Sequence, residues 1–337
     1  MQNLTYRQAR DFTGNSLQAF GLSKADSTVV SEIFLRAHWQ GQGHHDLSYL
    51  NQRLTWLEKG LVNPRAMPRV IMENQALCVL DGENCLGELG CTRALERALN
   101  LAATFGIGMA TIRNSNHFLA GGPYGEIAAE RGMVGIILSS TDKTMAGPSG
   151  GSAVIGNNPI AVGAPVGPTD FVLDMCMAYA SLGTLNKQKQ LGHFLEDHVG
   201  YDKNGNKTGD PGEILAGGSL APIAHHKGFG LALMVEMLTG GINGGAMGLS
   251  IPEGGGIGGH SQTIIALNLQ PFGGQAVFSE RFTEMMDGFR QITPDIRHPG
   301  SRRSPWSEKC LDEVCVLSES TIADLKTWEK KLSIPLG

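Results

Sequence analysis

The sequence predicts an α/β protein: a sheet domain of non-Rossmann type over residues 71–279, completed by a discontinuous helical domain formed by both chain ends (1–70 with 280–337). Three observations carry this. From about residue 70, short apolar runs alternate with helical periodicity, the pattern of βαβ units. Both ends of the chain read as helices instead. No GxGxxG lies between a strand and a helix: Gly106-Ile107-Gly108 follows a helix and lacks its third glycine, and Gly254 to Gly259 has no strand before it.

The elements follow in order. Ser23 to Asp26 has the form of a capping box, with Asp in place of the usual Glu or Gln. Behind it Val29, Ile33 and Ala37, with Val30 and Phe34 beside them, give one apolar stripe. Leu50, Leu54 and Leu57 mark a second helix that stops at Gly60. The spacing then predicts a strand over 76–80, a helix over 91–105, a strand over 106–112, a short helix over 124–131 and a strand over 133–139. Further strands are expected at 154–162, 171–175 and 262–269, with a buried helix over 229–238. At the end, Phe282, Met285, Met286 and Phe289 fall on one side of a helix over 280–292. Ile322, Leu325, Trp328 and Leu332 do the same over 321–332.

Composition limits the function. The chain has 337 residues, 41% hydrophobic and 18% charged, which excludes a long disordered protein. Its net charge is −5, without a block of Lys or Arg, so neither nucleic acid nor an anionic membrane is an expected partner. No apolar run reaches the roughly 18 residues that span a bilayer, and no signal-like apolar stretch opens the sequence, so a cytoplasmic location is expected. Six cysteines without a CxxC pair are expected to be reduced, mostly buried thiols. The 46 glycines cluster, as at Gly121-Gly122 and Gly147 to Gly151, where the backbone can turn or approach a ligand.

Several polar residues could carry chemistry. Asn114-Ser115-Asn116-His117 closes a predicted strand ahead of Gly121-Gly122, where a histidine can act as general acid or hold a polarised oxygen, or else be a satisfied loop residue. Asp174 interrupts an apolar strand and must be hydrogen-bonded or paired, or caps the turn that follows. His226-Lys227 precedes the apolar helix and suits an anion, although a solvated loop lysine would look the same. His44-His45-Asp46 offers a proton-transfer pair; two adjacent loop histidines are poor metal ligands, and no metal is expected. Asp202 to Asn206 imitates a calcium loop without its closing glutamate and reads as a turn.

The stretches GIGMATIRNSNHFLAGGPYGEIAAERGMVGI, IGNNPIAVGAP, FVLDMCMAYASLGTL and HHKGFGLALMVEML together resemble the malate/L-lactate dehydrogenase family that is unrelated to the Rossmann enzymes of that name. The resemblance covers nearly the whole chain. NSNHFLAGGPYG and LDMCMAYASLG look most like its 2,3-diketo-L-gulonate reductase branch. It implies a homodimer that binds NAD(H) in an extended form, with a small 2-keto or 2-hydroxy acid near the subunit interface; no basic cluster suited to a 2′-phosphate is recognisable in the sequence, so NADH is expected rather than NADPH. By this resemblance His45 is the proton donor and His117 the second active-site histidine. Cofactor contacts fall on Ser140 and Asp142, on Asp170, Phe171, Val172, Leu173, Asp174, Met175 and Cys176, on His226 and Lys227, and on Pro299, Gly300 and Ser301. Substrate contacts fall on His44, Tyr49 and Asn116.

The chain departs from the family pattern at its donor motif. The usual Ser-His-Gly is His44-His45-Asp46 here, and Tyr49 stands where many relatives carry an arginine. Tyrosine cannot replace a bidentate cation. Asp46 either raises the pKa of His45 or points elsewhere. The function expected is reversible hydride transfer between nicotinamide and C2 of a 2-keto acid, a sugar acid such as 2,3-diketo-L-gulonate first. Another 2-hydroxy acid (malate, lactate, ureidoglycolate), a cyclic imine, or a catalytically silent nucleotide-binding protein are the alternatives.

Overall fold

The computed structural model describes residues 4–43, 45–196, 198–253 and 256–337. The chain begins with β1 (Leu4–Thr5), α1 (Tyr6–Ala19), α2 (Lys24–Trp39), a 3-10 turn at Leu47–Tyr49 and α3 (Leu50–Glu58). There follow β2 (Arg69–Asn74), β3 (Leu77–Asp81), α4 (Gly87–Phe105), β4 (Ile107–Ser115), α5 (Gly122–Glu130) and β5 (Met133–Ser139). Next come β6 (Lys143–Gly147), β7 (Gly150–Gly156), β8 (Ile160–Ala164), β9 (Phe171–Met175), α6 (Leu182–Leu191), β10 (Gly200–Tyr201), β11 (Lys207–Thr208), α7 (Pro211–Leu215) and β12 (Ser219–Leu220). The last part holds α8 (His226–Glu236), β13 (His260–Asn268), α9 (Gly274–Ile292), β14 (Val314–Cys315) and α10 (Glu319–Leu332).

A seven-stranded sheet ordered β2-β3-β4-β13-β5-β8-β9 is the frame. Within it only β3 and β4 run parallel, joined by α4 as a βαβ unit. β13 returns from far along the chain and inserts antiparallel between β4 and β5. The alternation of strands and helices therefore builds a mixed sheet rather than the run of parallel units it suggests. A second sheet, β11-β10-β12-β6-β7, lies beside it. The chain ends meet where β1 pairs with β14, Leu4 opposite Cys315.

Local chemistry explains the helix boundaries. Ser23 accepts from Asp26 N at 3.1 Å and starts α2, while Thr5 and Gln8 close a capping box on α1. The α2 stripe is buried at Val30, Ile33, Phe34 and Ala37. It packs into one core with Leu50, Leu54, Leu95, Ile112 and Ile264, and with Leu325 and Trp328 of α10.

Three elements differ from the sequence reading. The strand expected over 154–162 is two, β7 and β8, broken at Asn157-Asn158-Pro159, where Asn158 takes φ +30° and proline has no N–H to give a ladder. The helix expected to be buried, α8, covers Gly228, Ala232 and Val235, while Leu231 and Leu233 remain exposed. On α9 only Met286 is buried, and Met285 and Phe289 face outward. All six cysteines are unpaired thiols, and five are buried. Asp202 makes a turn, its Oδ1 accepting from Asn204 N and Asn206 N, both at 2.8 Å. Among the described residues no helix is long and apolar enough to cross a membrane.

Helix α5 lies on β8 through backbone. A Cβ at Gly163 would overlap Gly125 O, and one at Gly125 would stand 2.9 Å from Gly163 N. Neither neighbour is a side chain that could swing aside. Gly163→Ala is expected to lower stability by about 2–3 kcal/mol, the scale of overpacking a tight core, read as the shift in the urea midpoint.

Candidate active site

A cleft of about 660 Å³ opens between the α3 region, the ends of β4 and β9, and the loop ahead of β13. That size is within the usual range for small-molecule sites. His45, Tyr49, His117, Asp142, Asp174, Met175 and Cys176 line it. His44 lies outside the described residues.

The two histidines meet. Their ring centroids are 4.9 Å apart, and Tyr49 lies 5.5 Å from His45 and 6.1 Å from His117. His45 arrives on the loop after α2, His117 directly after β4. The β4 turn is held by Asn116, whose Nδ2 donates to Asn84 Oδ1 at 3.0 Å and Cys85 O at 2.6 Å. Its Oδ1 accepts from Gly258 N at 2.6 Å. That amide is buried and committed to the scaffold, one residue from the cleft.

Asp46 turns away from His45. Its Oδ2 meets His38 Nδ1 at 2.8 Å, and its Oδ1 accepts from Ser48 N at 2.9 Å to cap the 3-10 turn. His38 Nε2 faces Val316 O at 3.1 Å, so both ring nitrogens face acceptors and the ring is an imidazolium. Burial opposes that charge, but the bonds to Asp46 and to Cys315 prevail and push the pKa up to about 10. Asp46 is held below its ordinary value, burial being outweighed by the His38 bond.

On the opposite wall, Asp142 Oδ1 meets His260 Nε2 at 2.5 Å and its Oδ2 accepts from Gly256 N at 2.7 Å. Burial of Asp142 is outweighed by the His260 bond, which lowers its pKa. Asp174 does have the partner that its place in an apolar strand demands, Gly122 N at 2.8 Å. Burial still raises its pKa, the backbone donors and the distant Arg303 only partly opposing it.

The other residues singled out fall in three places. Ser140 is fully buried, exchanging hydrogen bonds with Ser261, and its neighbour Thr141 lines the cleft instead. Asp170, Phe171, Val172 and Leu173 run along the edge strand β9 against Pro299 and Gly300, Val172 N donating to Pro299 O at 3.1 Å. Phe171 stacks on His298 at 6.3 Å, and Ser301 borders a separate cavity with Arg290 and Arg297. His226 and Lys227 are exposed on the first turn of α8, after Ala224 and His225 in left-handed backbone (φ +45° and +53°). Ile223 of that turn lines the cleft.

Sequence reasoning missed His260, Gln52, Asn157, Tyr179 and, beneath the floor, Arg53 and Glu88. Arg53 had a signal: it shares the buried face of α3 with Leu50, Leu54 and Leu57, where a charge demands a partner. His260 opens β13 two residues before the strand expected from the apolar pattern.

A cleft edged by strand ends, with convergent imidazoles and carboxylates, is built for proton transfer at a small substrate. Comparison with known proteins gives the class. The family model for malate/L-lactate dehydrogenase matches residues 4–326. L-sulfolactate dehydrogenase of Methanocaldococcus jannaschii is 31% identical over 283 residues, 82% of this chain and 81% of that protein. A 2,3-diketo-L-gulonate reductase of Escherichia coli is 30% identical over 250 residues, 74% of this chain and 75% of its own. The solved Δ1-piperideine-2-carboxylate reductase of Pseudomonas syringae superposes with a TM-score of 0.87 at 26% identity, covering 97% of this chain and 100% of that one. The protein is an oxidoreductase of the dehydrogenase/reductase type. It belongs to the malate/L-lactate dehydrogenase family.

The His38–Asp46 pair makes stability depend on pH. Asp46, held low, contributes stability that is present above pH ~4 and lost as pH falls through its folded value. His38 contributes stability that is full below pH ~6.5 and lost as pH rises toward 10. Asp46→Ala is expected to cost about 3 kcal/mol at pH 6, from the charged hydrogen bond and the cap. It should also flatten the fall of melting temperature between pH 7 and 10.5 that is expected of the wild-type protein.

Proposed function

We propose that the protein reduces a monocarboxylic 2-keto acid with an uncharged, hydroxyl-bearing tail, reversibly and with NADH, a sugar acid such as 2,3-diketo-L-gulonate being the first candidate. One observation carries the substrate class. No Lys or Arg is among the described residues lining the cleft, whereas Gln42, Gln52, Asn157, Thr141, Ser181 and Asn186 are, with two carboxylates. Amides and hydroxyls suit a polyol tail; even the first carboxylate would be held by neutral donors and imidazoles, so each further carboxylate or sulfonate adds a charge with no fixed cation.

The residues present fit a nicotinamide nucleotide. A Cβ at Gly121 would stand 2.6 Å from Ala161 Cβ, so the start of α5 gives the cleft wall bare backbone. The β9 edge, the segment at Pro299 to Ser301 and the exposed turn at His226-Lys227 would hold the rest, the Lys227 cation meeting phosphate. Asp170, which burial and Glu130 push up to about 6, is placed to bond a ribose hydroxyl. A bound reduced nicotinamide supplies hydride to C2. His45 gives a proton to the oxygen that becomes anionic, and His117 donates a hydrogen bond to the same oxygen. Asp174 stiffens the Gly121-Gly122 turn. The helical ends (1–70 with 280–337) and the sheet domain (71–279) are proposed as the two walls.

A homodimer is also proposed. α8 and the turn after it expose Leu231, Leu233, Met237 and Ile242, and a second copy is the proposed cover for these side chains.

A second reading, a cyclic imine, is favoured by the two carboxylates. Following NADH oxidation with 2,3-diketo-L-gulonate, oxaloacetate and Δ1-piperideine-2-carboxylate separates them. The expected result is a kcat/KM at least about tenfold higher for the diketo acid than for oxaloacetate, since one unpaired charge costs 1.4 kcal/mol or more. Preference for oxaloacetate would overturn the charge argument, and preference for NADPH would move the ribose contact from Asp170 to Arg290 and Arg297. His45→Ala should lower kcat by roughly 100- to 10,000-fold while NADH binding, followed by fluorescence, persists.

A further inference from the structure

We infer that Arg53, charged and held by Glu88, is the positioning residue that locks His117 in the tautomer carrying its hydrogen on Nε2, so that His117 serves as a neutral donor and never as the proton carrier. The inference rests on the active-site reading of His117 given above.

The geometry is specific. Arg53 and Glu88 are both fully buried, joined by Nε to Oε1 at 2.8 Å. Arg53 Nη1 donates to Gln52 Oε1 at 2.8 Å. Its Nη2 donates to His117 O at 3.0 Å and faces His117 Nδ1 at 3.1 Å. The guanidinium is stacked 4.3 Å from the Trp56 ring, with Tyr49 on its other flank at 5.7 Å. The backbone N–H of Leu119 also donates to His117 Nδ1, at 3.1 Å.

Two donors therefore meet one ring nitrogen, and neither can accept. An arginine has five N–H groups and no lone pair, and it does not deprotonate in proteins; a peptide N–H has only its hydrogen. Nδ1 must supply the lone pair, which leaves the ring hydrogen on Nε2. Moving it to Nδ1, or adding a second proton there, would oppose N–H to N–H at both contacts inside a buried site. His45 stands beside this ring, 4.9 Å between centroids, and the proposed labour is divided between the two histidines. One donates a hydrogen bond to the developing oxyanion, and the other gives up a proton.

Glu88 is the reason that Arg53 stays. Its Oε2 has no hydrogen-bond partner among the described residues, and burial raises its pKa even beside the arginine. A buried carboxylate with one strong partner gains little for the fold compared with an apolar pair. What the pair does provide is a cation fixed under the cleft floor. It is one helical turn beyond Tyr49 and directed at an imidazole rather than at a ligand.

The test is nitrogen-15 NMR of histidine-labelled protein, with His117 assigned by its loss in His117→Gln. In the wild-type protein His117 should give one unprotonated Nδ1 and one protonated Nε2 between pH 6 and 8. The charged and titratable neighbours over that range are Arg53, Glu88, His45, Tyr49, Asp142 and His260. Arg53→Lys keeps the charge opposite Glu88 but loses the fork. It should yield a mixture of tautomers and a kcat lower by roughly 10- to 100-fold, the scale of losing a group that orients an active-site imidazole, with KM for NADH little changed and a melting temperature lowered by the bonds lost to Gln52 and His117 O. Arg53→Met leaves Glu88 stranded, so the double variant R53M/E88L supplies the apolar control. It should fold, titrate His117 freely and be as slow as Arg53→Lys. A wild-type spectrum with hydrogen on Nδ1, or variants with an unchanged tautomer, would overturn the inference. Wild-type turnover in His117→Gln would instead sink the active-site reading while leaving the tautomer result standing.

Discussion

The cleft depends on the buried amide of Asn116. Its side chain bonds the turn between β3 and α4 and the loop before β13, and its own carbonyl accepts from Gln262 Nε2 at 3.2 Å. Two segments distant in sequence, 84–85 and 258–262, thus meet on one residue. The bonds to Cys85 O and from Gln262 are buried, so releasing one would leave a buried donor or acceptor at a cost of about 1–3 kcal/mol. Gly87 adds a steric condition, for a Cβ there would overlap the carbonyls of Asn116 and His117. The backbone of His117 is consequently fixed by the scaffold before its ring makes any contact.

Around that fixed point the charges are matched inside the protein. Arg53 faces Glu88, His38 faces Asp46, His260 faces Asp142, and Arg36 spans Glu32, Glu126 and Glu130 with contacts of 2.7–2.9 Å. Such pairs add little net stability when buried, because desolvation cancels most of the attraction. Their consequence here is local: Arg53, His38 and Arg36 are already paired and are not among the described residues that line the cleft. The arginine that the family pattern places at 49 has a counterpart only at 53, directed inward. On the proposed function, such a site would recognise its ligand by amides, hydroxyls and imidazoles and select by leaving surplus charge unpaired.

Much of this was legible in the sequence where one local signal sufficed. The Ser23 cap, the 133–139 and 171–175 strands, and the approach of His45 to His117 followed from periodicity and resemblance. The order of the sheet was not legible, because β13 reaches its neighbours across more than a hundred residues and no local pattern encodes antiparallel insertion. Asn116 looked like a ligand contact because the sequence presents it beside His117, whereas the fold turns its amide inward. Asp46 was undecided for the same reason: adjacency in sequence to His45 says nothing about direction, and the residue that settles it, His38, lies on the preceding helix.

Helix α8 displays a limit of a different kind. Its sequence is apolar on every side, which by the usual rule makes it a buried helix. In the single chain the rule holds for one face alone, since Gly228, Ala232 and Val235 pack inward while Leu231 and Leu233 do not. The same element begins with exposed His226 and Lys227, a few residues after Ile223, which lines the cleft. On the proposed function, a cover over the outer face of this helix would also steady the turn that carries His226 and Lys227. The hydrophobic pattern over 229–238 is thus met on one face within the chain, and its other face is the surface on which the proposed dimer rests.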